Sequence, residues 1–398
     1  MTTETLPDNV PANLVVDIDY FADPRIKADP RAHYMSLRGG PELVWTPHYG
    51  GHWIATRAAI MTEILTNPAD FSSFPLLIPK SVSGPEPKPF AEIDPPEHAK
   101  YRALLAPLTN PKLIDGFDAD ARALMRSLID AVYDQGRCDF STDIAQKFPI
   151  FIIMRLLDLP QDNRLMLIDL TDKVINHADP VVRRQARDQT EAYVQALIAR
   201  RRAAPGDDIA SSLVNGTIDG RPVTDKEANA MISVLIHGGL DTVRVNMTFI
   251  AHFLAQNPGH RRQLVDDPGL IPNAIDEMLR WLSLPSIARC VKRDREFHGV
   301  HLRAGDQVLM PFMLAGADEA VHQDALTVDF KRQNTKSLTF GAGPHFCPGS
   351  HIARIELRIF LEEWLTRIPN FEVDSSAPPP FGSGGVVTGL RGLSLRWS

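Results

Sequence analysis

The residues best equipped for chemistry lie together at 340–349, in the order Phe-Gly-Ala-Gly-Pro-His-Phe-Cys-Pro-Gly. Gly341, Gly343 and Gly349 permit left-handed or closely approaching backbone around the thiol of Cys347. Pro348 is expected to preset φ in the first turn of a helix running over 349–366. Cys347 is therefore expected on a loop at a helix N-terminus, where free amides and the positive end of the dipole favour a thiolate and hence metal ligation. For the cysteine taken alone, a buried structural thiol is the competing reading.

A second constellation is Gly238-Gly239-Leu240-Asp241-Thr242. It falls in the middle of a predicted helix that opens with the capping box Thr224-x-x-Glu227 and stops at Asn257-Pro258. At 1.5 Å per residue that helix is roughly 48 Å long, enough to cross a whole domain. Mid-helix glycines cost about 1 kcal/mol each relative to alanine. An acid and an alcohol in an apolar stretch add to that cost, and such conflicts mark either function or close packing. Asp241 beside Thr242 is an acid–alcohol pair suited to passing protons. Arg244, one turn after Asp241, is placed to pair with it and to slow or redirect that transfer.

Three weaker signals accompany these. Glu277 and Arg280 share a helix face at a spacing that by itself fits a surface ion pair. His98 and Arg102 share another face, with a surface histidine as the plain alternative. His237 stands one turn before Asp241, as either a core histidine bonded to a carbonyl or a polar handle.

The pattern Phe-x-x-Gly-x-His-x-Cys-x-Gly resembles the haem-binding signature of the cytochrome P450 superfamily, with Phe340, Gly343, His345, Cys347 and Gly349 in its fixed positions. The resemblance implies a mainly α fold with small β-sheets. It would be one triangular domain over 1–398, with an irregular leader over 1–30, and haem b between the long central helix and the Cys-loop helix. Cys347 would be the iron ligand. A thiolate in that position favours O–O cleavage. Gly238 and Gly239 would let haem and dioxygen approach the backbone, with Asp241 and Thr242 as the catalytic acid–alcohol pair. His98, Arg102, Arg289 and His345 would bind the propionates, and Phe340 would join them at the cofactor. Glu277, Arg280 and Arg332 would form a buried structural trio behind the Cys loop.

From about Asp94 to Trp397 the chain is similar to the camphor-hydroxylase group of bacterial P450s, in stretches such as Asp94-Pro95-Pro96-Glu97 and 364–369. Its pocket differs. That group holds a ketone with a tyrosine before Asp-Pro-Pro, and 88–94 here has none. His237 replaces an apolar residue, and Ile287 replaces an aspartate. By analogy Phe90, His237, Pro285, Ile287, Val386 and Val387 line a mostly apolar pocket, over which Phe74 and Leu77 close. The expected substrate is a small terpenoid or norisoprenoid, a compact hydrocarbon with at most one carbonyl, hydroxylated with O2.

The elements that must position these residues are mostly helical from Pro96 onward: 96–108, 111–134, 141–158, 160–176, 180–203, 207–214, 225–257, 258–266 and 270–282. Before them, 42–45 and 52–56 flank Tyr49-Gly50-Gly51 as a hairpin. Residues 57–66 read as a short helix, and the proline-rich stretch 74–89 as a long loop of the kind that serves as a lid or binding segment. Short strands are expected over 291–308 and 371–398.

A net charge of −7 argues against nucleic acid as the main partner. Three cysteines form no paired framework, which fits a reducing, cytoplasmic setting. The first ten residues lack the basic start and apolar run of a signal peptide. The most apolar run, 148–157, is too short to span a bilayer. The chain carries no flavin or nicotinamide fingerprint, so electrons must come from outside. The resemblance implies a [2Fe-2S] ferredoxin with an NADH-dependent reductase, docking on a basic face that includes Arg102, His351, Arg354 and Arg358. A peroxygenase of the same fold and a non-catalytic haem-binding protein are the alternatives. Asp241-Thr242 speaks against the first, because a peroxide user needs no proton relay.

Overall fold

The computed structural model describes residues 6–109, 111–176 and 179–398. The glycine turn at 49–51 makes the expected hairpin, with Leu43–Thr46 antiparallel to His52–Ala55. Gly51 has φ +86°, and a Cβ there would lie 2.2 Å from the Trp45 ring, so the turn needs glycine twice over. His52–Ala55 then pairs in parallel with Gln307–Pro311. That strand pairs antiparallel with Ser286–Val291, which also takes Phe71–Ser72 on its far edge. This five-stranded sheet carries Arg289 and Ile287 into the interior side of the fold.

The helical part is organised by the Asp225–Gln256 helix. Its capping box is formed: Thr224 N–H donates to Glu227 at 2.8 Å, and Glu227 N–H donates to the Thr224 hydroxyl at 3.3 Å. The helix packs on Phe148–Leu156, Pro180–Ala203 and Ser350–Arg367. Ala228, Met231 and Ile232 near its start and Met247, Ile250 and Ala251 further on are nearly inaccessible. They join one contiguous apolar core that reaches from Val10 to Leu395. Among the described residues no helix is long and apolar enough to cross a membrane.

Several boundaries differ from the sequence reading, mostly at prolines. The 96–108 helix is Glu97–Ala103 followed by a 3-10 turn at Ala106–Thr109, which contains Pro107. The 141–158 helix is a wide turn at Ser141–Ala145 and a helix over Phe148–Leu156, with Pro149 in its first turn. The leader is not wholly irregular, since Pro24–Ala28 is a short helix. Asp23 caps it and Asp29 caps the next helix, Pro30–Met35, each followed by a proline at the first helical position. That Asp-Pro pair was the available signal. Pro348 is not the first residue of its helix: the helix is Ser350–Arg367, with Gly349 as its N-cap.

Candidate active site

Cys347 sits as expected on a loop ahead of a helix. The loop is shaped by Gly341 at φ +72° and Gly343 at φ +68°. A Cβ on Gly343 would come within 2.6 Å of the Leu65 carbonyl, so this loop lies directly on the end of the Ala58–Thr66 helix. Cys347 N–H donates to the Phe340 carbonyl at 2.9 Å, closing the loop on itself. Burial pushes the Cys347 thiol up, while the Gly349 amide and the charges of Arg102 and Arg354 pull it down.

The four expected propionate ligands converge from three elements. His98 lies on the Glu97–Ala103 helix, His345 on the Cys loop and Arg289 on the Ser286–Val291 strand. The rings of His98 and His345 are 4.2 Å apart. Nε2 of His98 and both ring nitrogens of His345 are buried without a hydrogen-bond partner. Burial, then the Arg289 and His98 charges, depress the His345 pKa to about 3. Arg289 is 2% exposed, donates to its neighbour Ala288's carbonyl at 2.9 Å, and is held by burial at about 10. Arg102 bonds the Phe346 carbonyl and lies within reach of the Cys347 charge. The positive charges of Arg102 and Arg289, with the unpartnered ring nitrogens of His98 and His345, make a cradle suited to an anionic cofactor edge, and haem propionates fit it.

On the long helix the two glycines separate. A Cβ on Gly238 would meet nothing within 4 Å, whereas one on Gly239 would strike Ile153 at 2.2 Å. Gly238 is thus the open position, and for Gly239 the close-packing alternative holds. The helix runs unbroken through this point, and the Thr242 hydroxyl donates back to the Gly238 carbonyl at 3.0 Å. Asp241 is 8% exposed and is paired with Arg244, as the spacing suggested. A small cavity between Gln146, Thr171 and Asp172 opens onto that pair.

Glu277 and Arg280 are fully buried, not a surface pair. Arg280 donates to both carboxylate oxygens at 2.7 and 2.8 Å, and Arg332 adds a third bond at 3.0 Å. Arg280 and Arg332 also bond the carbonyls of Ala325 and Thr327, tying the Ile271–Leu282 helix to the meander before the Cys loop.

Of the expected pocket residues, Pro285 bridges Val387, and Ser286 N–H donates to the Val386 carbonyl at 2.8 Å, so 285–287 and 386–387 adjoin. Phe90 is 4% exposed at φ +46°. His237 bonds the Ser233 carbonyl at 2.7 Å through Nδ1. The 74–89 loop is tied down: Gln307 donates to the Pro75 and Leu77 carbonyls, and the Leu76 carbonyl accepts from Ala288. Arg354 is one of the residues expected on the docking face. It stacks on Phe340 at 4.7 Å and bonds Asp276 at 2.7 Å, which sequence spacing could not reveal. Glu356, also unforeseen, is buried on the same helix with one oxygen unpartnered, and burial raises its carboxyl well above the ordinary range.

Comparison with known proteins settles the family. The family model described as Cytochrome P450 matches residues 269–392. The protein named probable cytochrome P450 127A1 of Sinorhizobium fredii is 32% identical over 100% of this chain and 98% of its own length. The chain belongs to the cytochrome P450 family. The steroid C26-monooxygenase of Mycolicibacterium smegmatis is 33% identical to this P450 over 86% of each chain. Cytochrome P450-terp of a Pseudomonas species is 27% identical over 99% of this chain and 98% of its own. In three dimensions this P450 resembles the crystal structure of CYP101J2 with a TM-score of 0.91 and 35% identity, covering 99% of this chain and 100% of that one. CYP101C1 follows at 0.90 and 32%, with the same coverage. The expected class and fold therefore hold: this is a haem b cytochrome P450 monooxygenase that resembles the camphor-hydroxylase group. It acts on O2 and a substrate and needs an external redox partner.

Proposed function

We propose that this P450 hydroxylates a compact terpenoid or norisoprenoid, with electrons from a [2Fe-2S] ferredoxin reduced by an NADH-dependent reductase. The observation that carries the site assignment is the cluster beside Cys347 of unpartnered ring nitrogens, on His98 and His345, with the buried guanidinium of Arg289. Cys347 Sγ would hold the haem iron, and His98, Arg102, Arg289 and His345 would hold the propionates, with Phe340 joining them at the cofactor. Haem held there would supply the iron chemistry for reducing dioxygen and oxygenating the substrate. Gly238 leaves room at the helix surface, and Asp241 Oδ and Thr242 Oγ1 hold and hand over protons there. Glu277, Arg280 and Arg332 keep the meander and Cys loop rigid. The chain is read as one domain in cytoplasm.

The apolar residues Phe90, Pro285, Ile287, Val386 and Val387 support a hydrocarbon substrate, and the name of the relative P450-terp and the camphor-like structural class are in keeping with it. A basic face around Arg102, His351, Arg354 and Arg358 supports an acidic ferredoxin. Arg354 and Arg358 already have carboxylate neighbours, Asp276 and Asp118, so the docking charge is smaller than the sequence suggests.

The first test is the carbon monoxide difference spectrum of the reduced protein. A strongly red-shifted Soret band that moves in Cys347→His supports the thiolate; a band at the histidine-ligated position refutes it. Product formation from terpenoids with a ferredoxin chain, slowed by salt, supports the rest. Equal turnover with peroxide alone would favour the peroxygenase reading.

A further inference from the structure

His237 carries information about the substrate that its residue type alone does not. Its Nδ1 lies 2.7 Å from the Ser233 carbonyl, one turn back on the same helix. A carbonyl only accepts, so Nδ1 carries the proton. The other nitrogen, Nε2, is buried and has no hydrogen-bond partner. Burial, with Lys88 and Arg187 as the charges facing the ring from the loop and from the Pro180–Ala203 helix, lowers the His237 pKa, so the imidazole is neutral. A neutral ring protonated at Nδ1 has a bare lone pair at Nε2. The next residue is the open Gly238.

We infer that His237 Nε2 is a hydrogen-bond acceptor in the substrate pocket, and that it selects terpenoids bearing a hydroxyl group over those bearing a carbonyl. This rests on the terpenoid reading above and revises one part of it, since a ketone oxygen set against Nε2 would bring two lone pairs together. A hydroxyl donates to Nε2 and satisfies a buried atom that is otherwise unmet. A site built around one hydrogen bond rejects analogues that cannot make it more strongly than an apolar pocket rejects a change of size.

The experiment uses the haem-loaded protein and three compounds of one skeleton: bornane, camphor and borneol, the hydrocarbon, ketone and alcohol. Midpoints are read from the shift of the Soret band. Borneol is expected to bind about tenfold more tightly than camphor. In His237→Phe the preference of borneol over camphor is expected to vanish, and in Lys88→Met it is expected to persist. If none of the three moves the band, the terpenoid reading falls and this inference with it. If all three bind equally, or the preference survives in His237→Phe or disappears in Lys88→Met, the terpenoid reading stands and this inference falls. Nitrogen NMR of labelled histidine, assigned by the signal lost in His237→Phe, gives an independent answer. A protonated Nδ1 and bare Nε2 are expected, and the opposite tautomer overturns the inference whatever the binding results.

Discussion

The guanidinium of Arg244 gives two hydrogen bonds to a single oxygen of Asp241, Oδ1, from three residues further along the same helix. Both side chains are largely withdrawn from solvent, so the pair is little screened. Arginine does not release its proton, so it restrains the carboxylate without serving as a relay itself. Arg244→Met is expected to speed product formation several-fold where proton delivery limits the rate. Asp241→Asn is expected to slow it by about 10²- to 10⁴-fold. Turnover in light and heavy water measures both; slower turnover in Arg244→Met would show that the pair orients Asp241 and does not restrain it.

The two glycines of the long helix should respond oppositely to alanine. Gly239→Ala drives a methyl into Ile153 and is expected to destabilise the protein by about 1–3 kcal/mol. Adding Ile153→Val should recover part of that loss. Gly238→Ala meets no neighbour and should leave stability unchanged or raise it by up to about 1 kcal/mol, through helix propensity. Its effect belongs in dioxygen and substrate binding. Denaturant unfolding of the four proteins, with Soret titrations, tests the contrast.

The Glu277 carboxylate is shared by Arg280 and Arg332 with no access to water. Removing one member leaves an uncompensated buried charge, which costs about 3–5 kcal/mol. Glu277→Gln and Arg280→Leu are thus expected to yield little folded protein and low haem occupancy. Normal occupancy and an unchanged unfolding midpoint in either would remove the trio from the scaffold.

Acid should weaken the start of the long helix. Arg221's hydrogen bonds, with help from the Thr224 amide and the Tyr101 hydroxyl, hold the Glu227 carboxyl far below the usual range. A depressed folded pKa stabilises the protein above the unfolded value of about 4.3, and that contribution is lost as pH falls below it. Glu227→Gln is expected to cost about 1 kcal/mol at neutral pH, as loss of a cap does. The gap to the parent should narrow below about pH 4; a gap that is constant with pH would count against the charge.

Pro348 withholds one backbone N–H from the Cys347 sulfur, leaving the Gly349 amide as the neighbouring donor. Fewer donors leave the thiolate richer in electrons. The reduction potential is expected to be more negative than in Pro348→Leu, and redox titration of the two haem-loaded proteins decides it.

Much of this protein was legible along the chain, for reasons that are local. The thiol loop is encoded by glycine and proline spacing, and the long helix by its capping box and Asn-Pro stop. The hairpin is encoded by Tyr49-Gly50-Gly51, and the acid–alcohol–arginine group by positions within one turn. Each of these depends on neighbours in sequence, where backbone geometry alone brings groups together. Other properties arise only when distant segments meet. Gly238 and Gly239 look alike until the Phe148–Leu156 helix lays Ile153 on one of them. Glu277 and Arg280 look like a surface pair until the meander buries them under Arg332. Arg354 looks like a free surface charge until Asp276 and Phe340 claim it. His237's type was plain from the start, but its unmet acceptor exists only because packing seals Nε2 from water. Burial is a property of the assembled chain, and it decides whether a polar group is solvated, paired or left waiting for a ligand.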